Sequence, residues 1–276
     1  MTEWRLYIVI LVPLRHFSFI ISENKNLLRY YKMAILYNGD CLEEMKQIDD
    51  NSIDLIFTDL PYAQTANEWD HKIDLNAMWT QFLRIKKLNT PIFFTTTTKY
   101  GIDIINSAPK QCPFRYDLIW EKSSPVGHLN CKVLPMRSHE MIYVFYEKKP
   151  YYDLSSHQYI QVKKEGKGRY GKTYGAAVGT GNTTVDKAPV GKYDPPLPRS
   201  IIKIQSKKGN HSTEKPVDLM KWIFKYYSKE GDVVLDNCMG SGSTGVAANE
   251  MNRNFIGIEM NEDIFNTAFN RINPEE

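Results

Sequence analysis

Two short stretches of the chain combine residue types whose spacing suits chemistry. The first, VVLDNCMGSGSTG at 233 to 245, sets a glycine cluster between a β-rich run and a helical pattern. Gly240, Gly242 and Gly245 have G-x-G-x-x-G spacing, and Glu259 follows Gly240 by nineteen positions. Such glycines let the backbone approach a ligand at a helix N-terminus, and the later carboxylate can accept hydrogen bonds from ribose hydroxyls. The pattern suits NAD as well as S-adenosylmethionine, and the lack of a following Lys excludes a P-loop. The second stretch is Asp59-Leu60-Pro61-Tyr62, at the exit of the apolar run IDLIFT. Here a carboxylate, a carbonyl and an aromatic face lie within four residues, which is what gripping a planar exocyclic amine requires. Asp59 can accept one amino hydrogen, the Leu60 carbonyl the other, and Tyr62 can stack on the ring. Pro61 restricts Leu60 to extended conformations and so directs that carbonyl. Taken alone, D-x-P-Y is better explained as a strand-end turn and G-x-G-x-x-G is weak, so the elements around them carry weight.

Those elements alternate from residue 34 onward. Apolar β-rich runs lie at 34 to 37, 53 to 57, 91 to 96, 116 to 120, 141 to 146, 233 to 236 and 255 to 259. Helical patterns lie between them at 42 to 48, 75 to 88, 216 to 227, 244 to 251 and 264 to 272. Several of the apolar runs are continuous rather than alternating. That predicts strands buried on both faces, hence an α/β fold with a mostly parallel central sheet. The glycine stretch lies close to the C-terminus, whereas a nicotinamide fold opens with that unit. The remaining strands must come from upstream, which suggests a circular permutation.

The 276 residues are 42% hydrophobic and 24% charged, which excludes collagen-like, disordered and multi-pass membrane classes. The net charge of +3 hides an asymmetry. Between residues 148 and 208, eleven Lys and two Arg face four acidic residues, a net +9 that leaves −6 on the rest of the chain. A basic window holding Tyr151, Tyr152, Tyr159, Tyr170, Tyr174 and Tyr193 is the footprint of a polyanion reader, with Lys163, Lys164, Lys167, Arg169 and Lys172 as phosphate contacts. Cys41, Cys112, Cys131 and Cys238 have neither Cys-x-x-Cys nor zinc spacing, so they are expected as reduced thiols, with no metal.

The opening segment contains the apolar run LYIVILVPL, too short to span a bilayer, which takes about 20 residues. Glu3 near the start and the absence of an Ala-x-Ala site argue against a secretory signal. Residues 1–33 are expected as an extension outside the core, with an accessory strand or helix as the remaining possibility.

At this point the sequence resembles a family, the amino DNA methyltransferases that use S-adenosylmethionine, in their permuted β-group order. Their D-P-P-Y box looks like Asp59 to Tyr62 and their D-x-F-x-G-S-G-T box looks like Asp236 to Thr244. The likeness extends to Asn38-Gly39-Asp40-Cys41, Ile119-Trp120-Glu121-Lys122, His139-Glu140 and Ser212-Thr213-Glu214-Lys215-Pro216. The resemblance implies a Rossmann-like methyltransferase fold, circularly permuted, with a target-recognition insert. It implies that Asp40, beside Cys41, meets the cofactor adenine, and that Glu259 meets its ribose. Asp236, Cys238 and the turn Gly240-Ser241-Gly242 would meet its methionine end, with Thr213 and Lys215 in the box that closes over it. His139, Trp120 and Lys122 carry weaker assignments: a hydrogen-bonded His and a core Trp serve as well, and Lys122 can be solvated. Leu60 replaces the family's first proline and Cys238 its phenylalanine, and neither change removes a group the chemistry needs.

The expected activity is site-specific transfer of a methyl group from S-adenosylmethionine to the N6 of a flipped adenine in double-stranded DNA. The Asp-headed box favours adenine, while N4-cytosine enzymes more often begin with Ser. A catalytically inactive DNA-binding module is the alternative from another class, and it would predict a damaged box. The expected organisation is an extension at 1–33, a catalytic half at 34–147, a recognition insert at 148–208 and a cofactor half at 209–276. The protein is expected in the cytoplasm with its DNA, with no membrane partner. A homodimer and a cognate restriction endonuclease are left open.

Overall fold

The computed structural model describes residues 6–11, 32–61, 73–162, 190–206 and 214–273. In chain order the strands are β1 (Leu6–Leu11), β2 (Lys32–Asn38), β3 (Leu55–Thr58), β4 (Ile92–Thr96), β5 (Phe114–Val126) and β6 (Arg137–Phe145), then β7 (Gln158–Val162), β8 (Val190–Asp194), β9 (Ile201–Lys203), β10 (Val233–Asp236) and β11 (Asn254–Glu259). The helices are α1 (Cys41–Glu44), α2 (Leu75–Ile85), α3 (Thr98–Ser107), α4 (Val217–Tyr227), α5 (Ser243–Glu250) and α6 (Glu262–Ile272).

Among the described residues, nine strands form one sheet in the order β1-β2-β11-β10-β3-β4-β6-β5-β9. The five strands from β2 to β4 run parallel. β6 is antiparallel to both β4 and β5, and β9 lies parallel to β5. The mostly parallel sheet read from the continuous apolar runs is therefore present. Every residue of β3 and β4 is buried, as strands covered on both faces must be. Successive side chains of β4 show the two layers: Phe94 meets Trp79 of α2 at 5.4 Å between ring centroids, while Phe93 meets Tyr227 of α4 at 5.0 Å.

The helices follow from capping and apolar spacing. Asp74 caps α2 by accepting from the amides of Asn76 and Ala77, and Leu75, Met78, Trp79, Phe82 and Ile85 form its buried stripe. α5 lies close to the sheet because Gly245 has no side chain: a Cβ there would come within 2.5 Å of Ile272 and 2.7 Å of Phe255.

β10 and β11 come last in the chain yet sit between β2 and β3, the permuted arrangement the motif order suggests. The sheet changes winding direction between β10 and β3, and in open α/β sheets ligands bind at the carboxyl ends of strands beside such a point. The glycine stretch follows β10 there and the Asp59 stretch follows β3.

Part of the leading segment joins the sheet. β1 pairs antiparallel with β2, from Leu6↔Tyr37 to Leu11↔Lys32, taking the accessory-strand option rather than standing outside the fold. A run rich in β-branched residues meets an edge whose N–H and C=O groups would otherwise be unpaired, and that pairing drives its addition.

The chain divides into two compact units, Met1–Asp153 with Ser200–Glu276, and Leu154–Arg199. The second holds the antiparallel ribbon of β7 and β8, in which Tyr159 faces Tyr193 with ring centroids 5.3 Å apart. Among the described residues no helix is long and apolar enough to cross a membrane.

Candidate active site

The glycine turn is built on positive backbone angles. Gly240 has φ +52° and Gly242, which opens α5, has φ +85°, a region L side chains rarely adopt. Two carboxylates shape the turn. Glu259, at the end of β11, accepts from the Gly240 amide at 3.0 Å and from the Asn261 amide at 2.9 Å. Asp236, at the end of β10, accepts from the Cys238 amide at 3.1 Å and the Thr244 hydroxyl at 2.5 Å. Asp236 is only 2% exposed, so it works underneath the turn. Burial pushes its pKa up to about 7, against the Thr244 and Cys238 hydrogen bonds and with help from the charges of Asp59 and Glu259. Burial likewise raises the Glu259 pKa, opposed by its three backbone donors.

The neighbouring strand brings in Asp40 and Cys41. Gly39 donates to the Glu259 carbonyl at 3.1 Å, which seats the β2 exit beside the β11 exit. Asp40 caps α1, its Oδ1 accepting from the amides of Leu42 at 2.8 Å and Glu43 at 3.2 Å. Cys41 is buried, and its neighbourhood with Cys238 pushes the Cys238 thiol pKa up, so the two segments lie beside one another.

Across the winding-change point, Asp59 leaves β3 with both carboxylate oxygens engaged. Oδ1 accepts from the Thr95 hydroxyl of β4 at 2.5 Å, and Oδ2 pairs with the Lys215 ammonium at 2.6 Å. Lys215 also lies 3.3 Å from Glu140 of β6, and Glu140 pairs with Lys122 of β5 at 2.5 Å. Four charges thus alternate in sign through a partly buried row: Asp59, Lys215, Glu140, Lys122. Burial alone would lower the Lys215 pKa, but Asp59 and then Glu140 outweigh it and hold it above the ordinary lysine value. Leu60 is 2% exposed and anchors the stretch in the core.

The segment that follows the basic window ties the two halves together. Arg271 of α6 donates to the Ser241 carbonyl at 2.6 Å and its hydroxyl at 2.8 Å, and pairs with Glu214 at 2.7 Å. Glu214 also accepts from Ser243 at 3.3 Å. Glu214 and its neighbour Lys215 therefore reach opposite sides of the site, one to the glycine turn and one to Asp59.

Of the residues singled out from sequence, the structure groups Asp40, Cys41, Asp236, Cys238, Gly240, Ser241, Gly242 and Glu259 at the exits of β2, β10 and β11. It groups Asp59, Leu60, Pro61 and Lys215 at the exit of β3. Tyr62, Thr213, Lys163, Lys164, Lys167, Arg169 and Lys172 lie outside the described residues. Lys122 is paired and 13% exposed rather than solvated, and Trp120 is a core residue donating to the Ile204 carbonyl at 2.9 Å. Thr95 and Arg271 were missed: a Thr in a β-rich run and an Arg on a terminal helix give no local signal. Among the described residues no three His, Cys, Asp or Glu side chains gather as a metal site.

Comparison with known proteins bears on the family and the fold. Residues 53–270 match the family model N6_N4_Mtase, DNA methylase. The Type II methyltransferase M2.LlaDCHI of Lactococcus lactis subsp. cremoris is 24% identical over 269 residues, covering 88% of this chain and 91% of that protein. M.HindIII of Haemophilus influenzae is 44% identical over 80 residues, 28% of this chain and 26% of that one. Among solved structures, the M1.HpyAVI-SAM complex superposes with TM-score 0.59 at 21% identity, covering 87% of this chain and all (100%) of that one. The PvuII DNA methyltransferase, described as cytosine-N4-specific, gives TM-score 0.60 at 16% identity, with 88% of each chain covered. These likenesses place the fold among the Rossmann-like methyltransferases.

Proposed function

The chain belongs to the N6_N4_Mtase family of DNA methylases, and from that premise we propose that it methylates the N6 of adenine at a specific site in double-stranded DNA. The observation that carries this reading is the Asp59 carboxylate, held by Thr95 and Lys215 at the exit of β3, next to the glycine turn of the adjacent strand.

S-adenosylmethionine, the family's methyl donor, supplies an electrophilic sulfonium methyl when bound. The residues at the turn fit such a group. A Cβ at Gly240 would meet no atom within 4 Å, so the backbone faces open space, and among the described residues the buried Asn237 Oδ1 has no hydrogen-bond partner. Asp40 and Cys41 would border the adenine, Glu259 the ribose, and Cys238, Gly240, Ser241, Gly242, Thr213 and Lys215 the methionine end. Asp236 acts one layer below, holding the turn in shape.

The target amine is a weak nucleophile because its lone pair is delocalised into the ring. Asp59 and the Leu60 carbonyl accept its two hydrogens, turning the nitrogen towards tetrahedral geometry and stabilising the positive charge that develops there. Each carboxylate oxygen has more than one acceptor site, so Asp59 can hold Thr95 and Lys215 and still take the amine. Tyr62 stacks on the extruded base. Once alkylated, the nitrogen is acidic enough to lose its proton without a strong base. Adenine is favoured because the box opens on Asp. The basic window at 148–208 serves as the recognition insert, with Lys163, Lys164, Lys167, Arg169 and Lys172 on phosphates.

Methylome sequencing of an expression strain, with mass spectrometry of its nucleosides, tests the proposal. N6-methyladenine at one sequence supports it. N4-methylcytosine overturns the base assignment, and unmodified DNA overturns the activity.

A further inference from the structure

The connection between β5 and β6 is unusual in what it exposes. Residues 123–135 are all solvent-exposed, yet they include Val126, Leu129, Val133 and Leu134, with Leu129 98% and Val133 77% accessible. Large apolar side chains displayed together at a loop tip mark a contact surface. The tip is also well formed. Gly127 turns the chain at φ +93°, and a short helical turn follows in which Asn130 donates to Gly127, Cys131 to His128, and Val133 and Leu134 to Asn130. A hydrogen-bonded turn that exposes Leu129, Val133 and Leu134, with Val126 beside it at the end of β5, presents them at low ordering cost.

Two features identify what this tip meets. From Ser123 to His139 the segment contains Lys132 and Arg137 with no Asp or Glu, on a unit whose sequence is otherwise acidic. Charge of that sign among apolar side chains suits a polyanion that also offers apolar faces, which describes stacked bases between phosphates. The hairpin is also continuous with the site. Thr96, at the carboxyl end of β4, pairs with Met141 of β6, and the next residue, Glu140, is the one that holds Lys215 against Asp59. From Glu140 to the Val126↔Arg137 pair is three residues of strand, so the tip projects roughly 10 Å or more beyond the charged row, at the same edge of the sheet.

We infer that the 123–135 hairpin tip is a wedge for duplex DNA, with Leu129, Val133 and Leu134 entering the base stack beside the target pair as it opens, flanked by Lys132 and Arg137 on phosphates. Apolar side chains inserted between base steps relieve part of the unstacking that extruding a base requires. The inference rests on the DNA-methylating reading above and adds residues that hold DNA on the catalytic unit itself.

The test uses the full chain and a duplex carrying its own methylation site, with 2-aminopurine adjacent to the target base to report unstacking. Leu129→Ser, Val133→Ser and Leu134→Ser are combined, positions whose exposure leaves the fold intact. The expected result is at least a tenfold loss of both the fluorescence rise and kcat/KM for DNA, with S-adenosylmethionine affinity within twofold of wild type. A mismatch at the target pair should return methyl transfer to within about threefold, because the pair is already open. Wild-type fluorescence in the variant, or a loss the mismatch does not rescue, overturns the wedge while methyl transfer by the wild type keeps the broader reading. A wild-type dimer that the substitutions convert to monomers overturns it in favour of contact between copies. A wild-type chain that methylates no DNA overturns both.

Discussion

Lys215 holds its ammonium 2.6 Å from Asp59 although the two residues are 156 positions apart, and through Glu140, 3.3 Å away, it links β3 to the antiparallel edge of the sheet. The arrangement fixes a carboxylate that would otherwise rotate freely at a strand end, and it makes the site's shape depend on three distant segments.

Asp59 is expected to be indispensable for chemistry and dispensable for cofactor binding. Asp59→Ala should lower kcat by at least about 10²-fold, the usual loss when a group that stabilises developing charge is removed. Its S-adenosylmethionine affinity should stay within a few fold. Radiolabelled methyl transfer and calorimetric titration measure the two, and near-normal turnover would show that another group holds the amine.

Lys215→Met should destabilise the fold as well as the site, because it leaves the Asp59 and Glu140 carboxylates facing one another without the cation between them. Breaking a partly buried pair of this kind costs about 3 kcal/mol. For a chain of this size that is a fall in Tm of roughly 6–12 °C, read by differential scanning calorimetry. A Tm unchanged within about 2 °C would mean that the bridge contributes no stability.

Asp236 predicts a pH dependence. Its pKa is raised in the fold to about 7 from an ordinary 3.8, so between those values the folded state keeps a proton that the unfolded chain has released. Stability falls with rising pH where the folded state binds more protons, so Asp236 costs stability progressively from about pH 4 to pH 7 and no more beyond. Asp236→Asn removes that dependence. The Tm of the variant relative to wild type should climb between pH 5 and pH 8, by the equivalent of a few kcal/mol at about 1.4 kcal/mol per pKa unit. A difference that stays flat across that window would place the Asp236 titration at an ordinary carboxylate value.

Neutralising Lys163, Lys164, Lys167 and Arg169 together should weaken DNA binding across all sequences. It should also flatten the dependence of log K on log salt by about 0.9 for each phosphate contact removed. Fluorescence anisotropy over a salt series reads both quantities. An unchanged slope would place the DNA on other cations of the chain.

Much of this protein is determined by local sequence. Continuous apolar runs specify strands buried on both faces, and the glycines at 240 and 242 specify a turn that other residues resist. The order of the Asp59 and glycine stretches specifies where β10 and β11 enter the sheet. The strands and the turn are properties of neighbouring residues and the order is a property of the chain read along its length, so the sequence reveals all three. Three features were decided only when the chain closed on itself. The family resemblance assigns Asp236 to the cofactor's methionine end, and in the fold its carboxylate lies under the loop, because β10 carries it into the core where Thr244 and Cys238 meet it. Thr95 reads as an ordinary strand residue, and it becomes a support of Asp59 because β4 lies beside β3. Lys122, Glu140, Lys215 and Asp59 form one row of alternating charge because the carboxyl ends of β3 and β5 and the first half of the antiparallel β6 come to one edge of the sheet, where the segment before α4 brings Lys215, a neighbourhood that no interval in the sequence encodes.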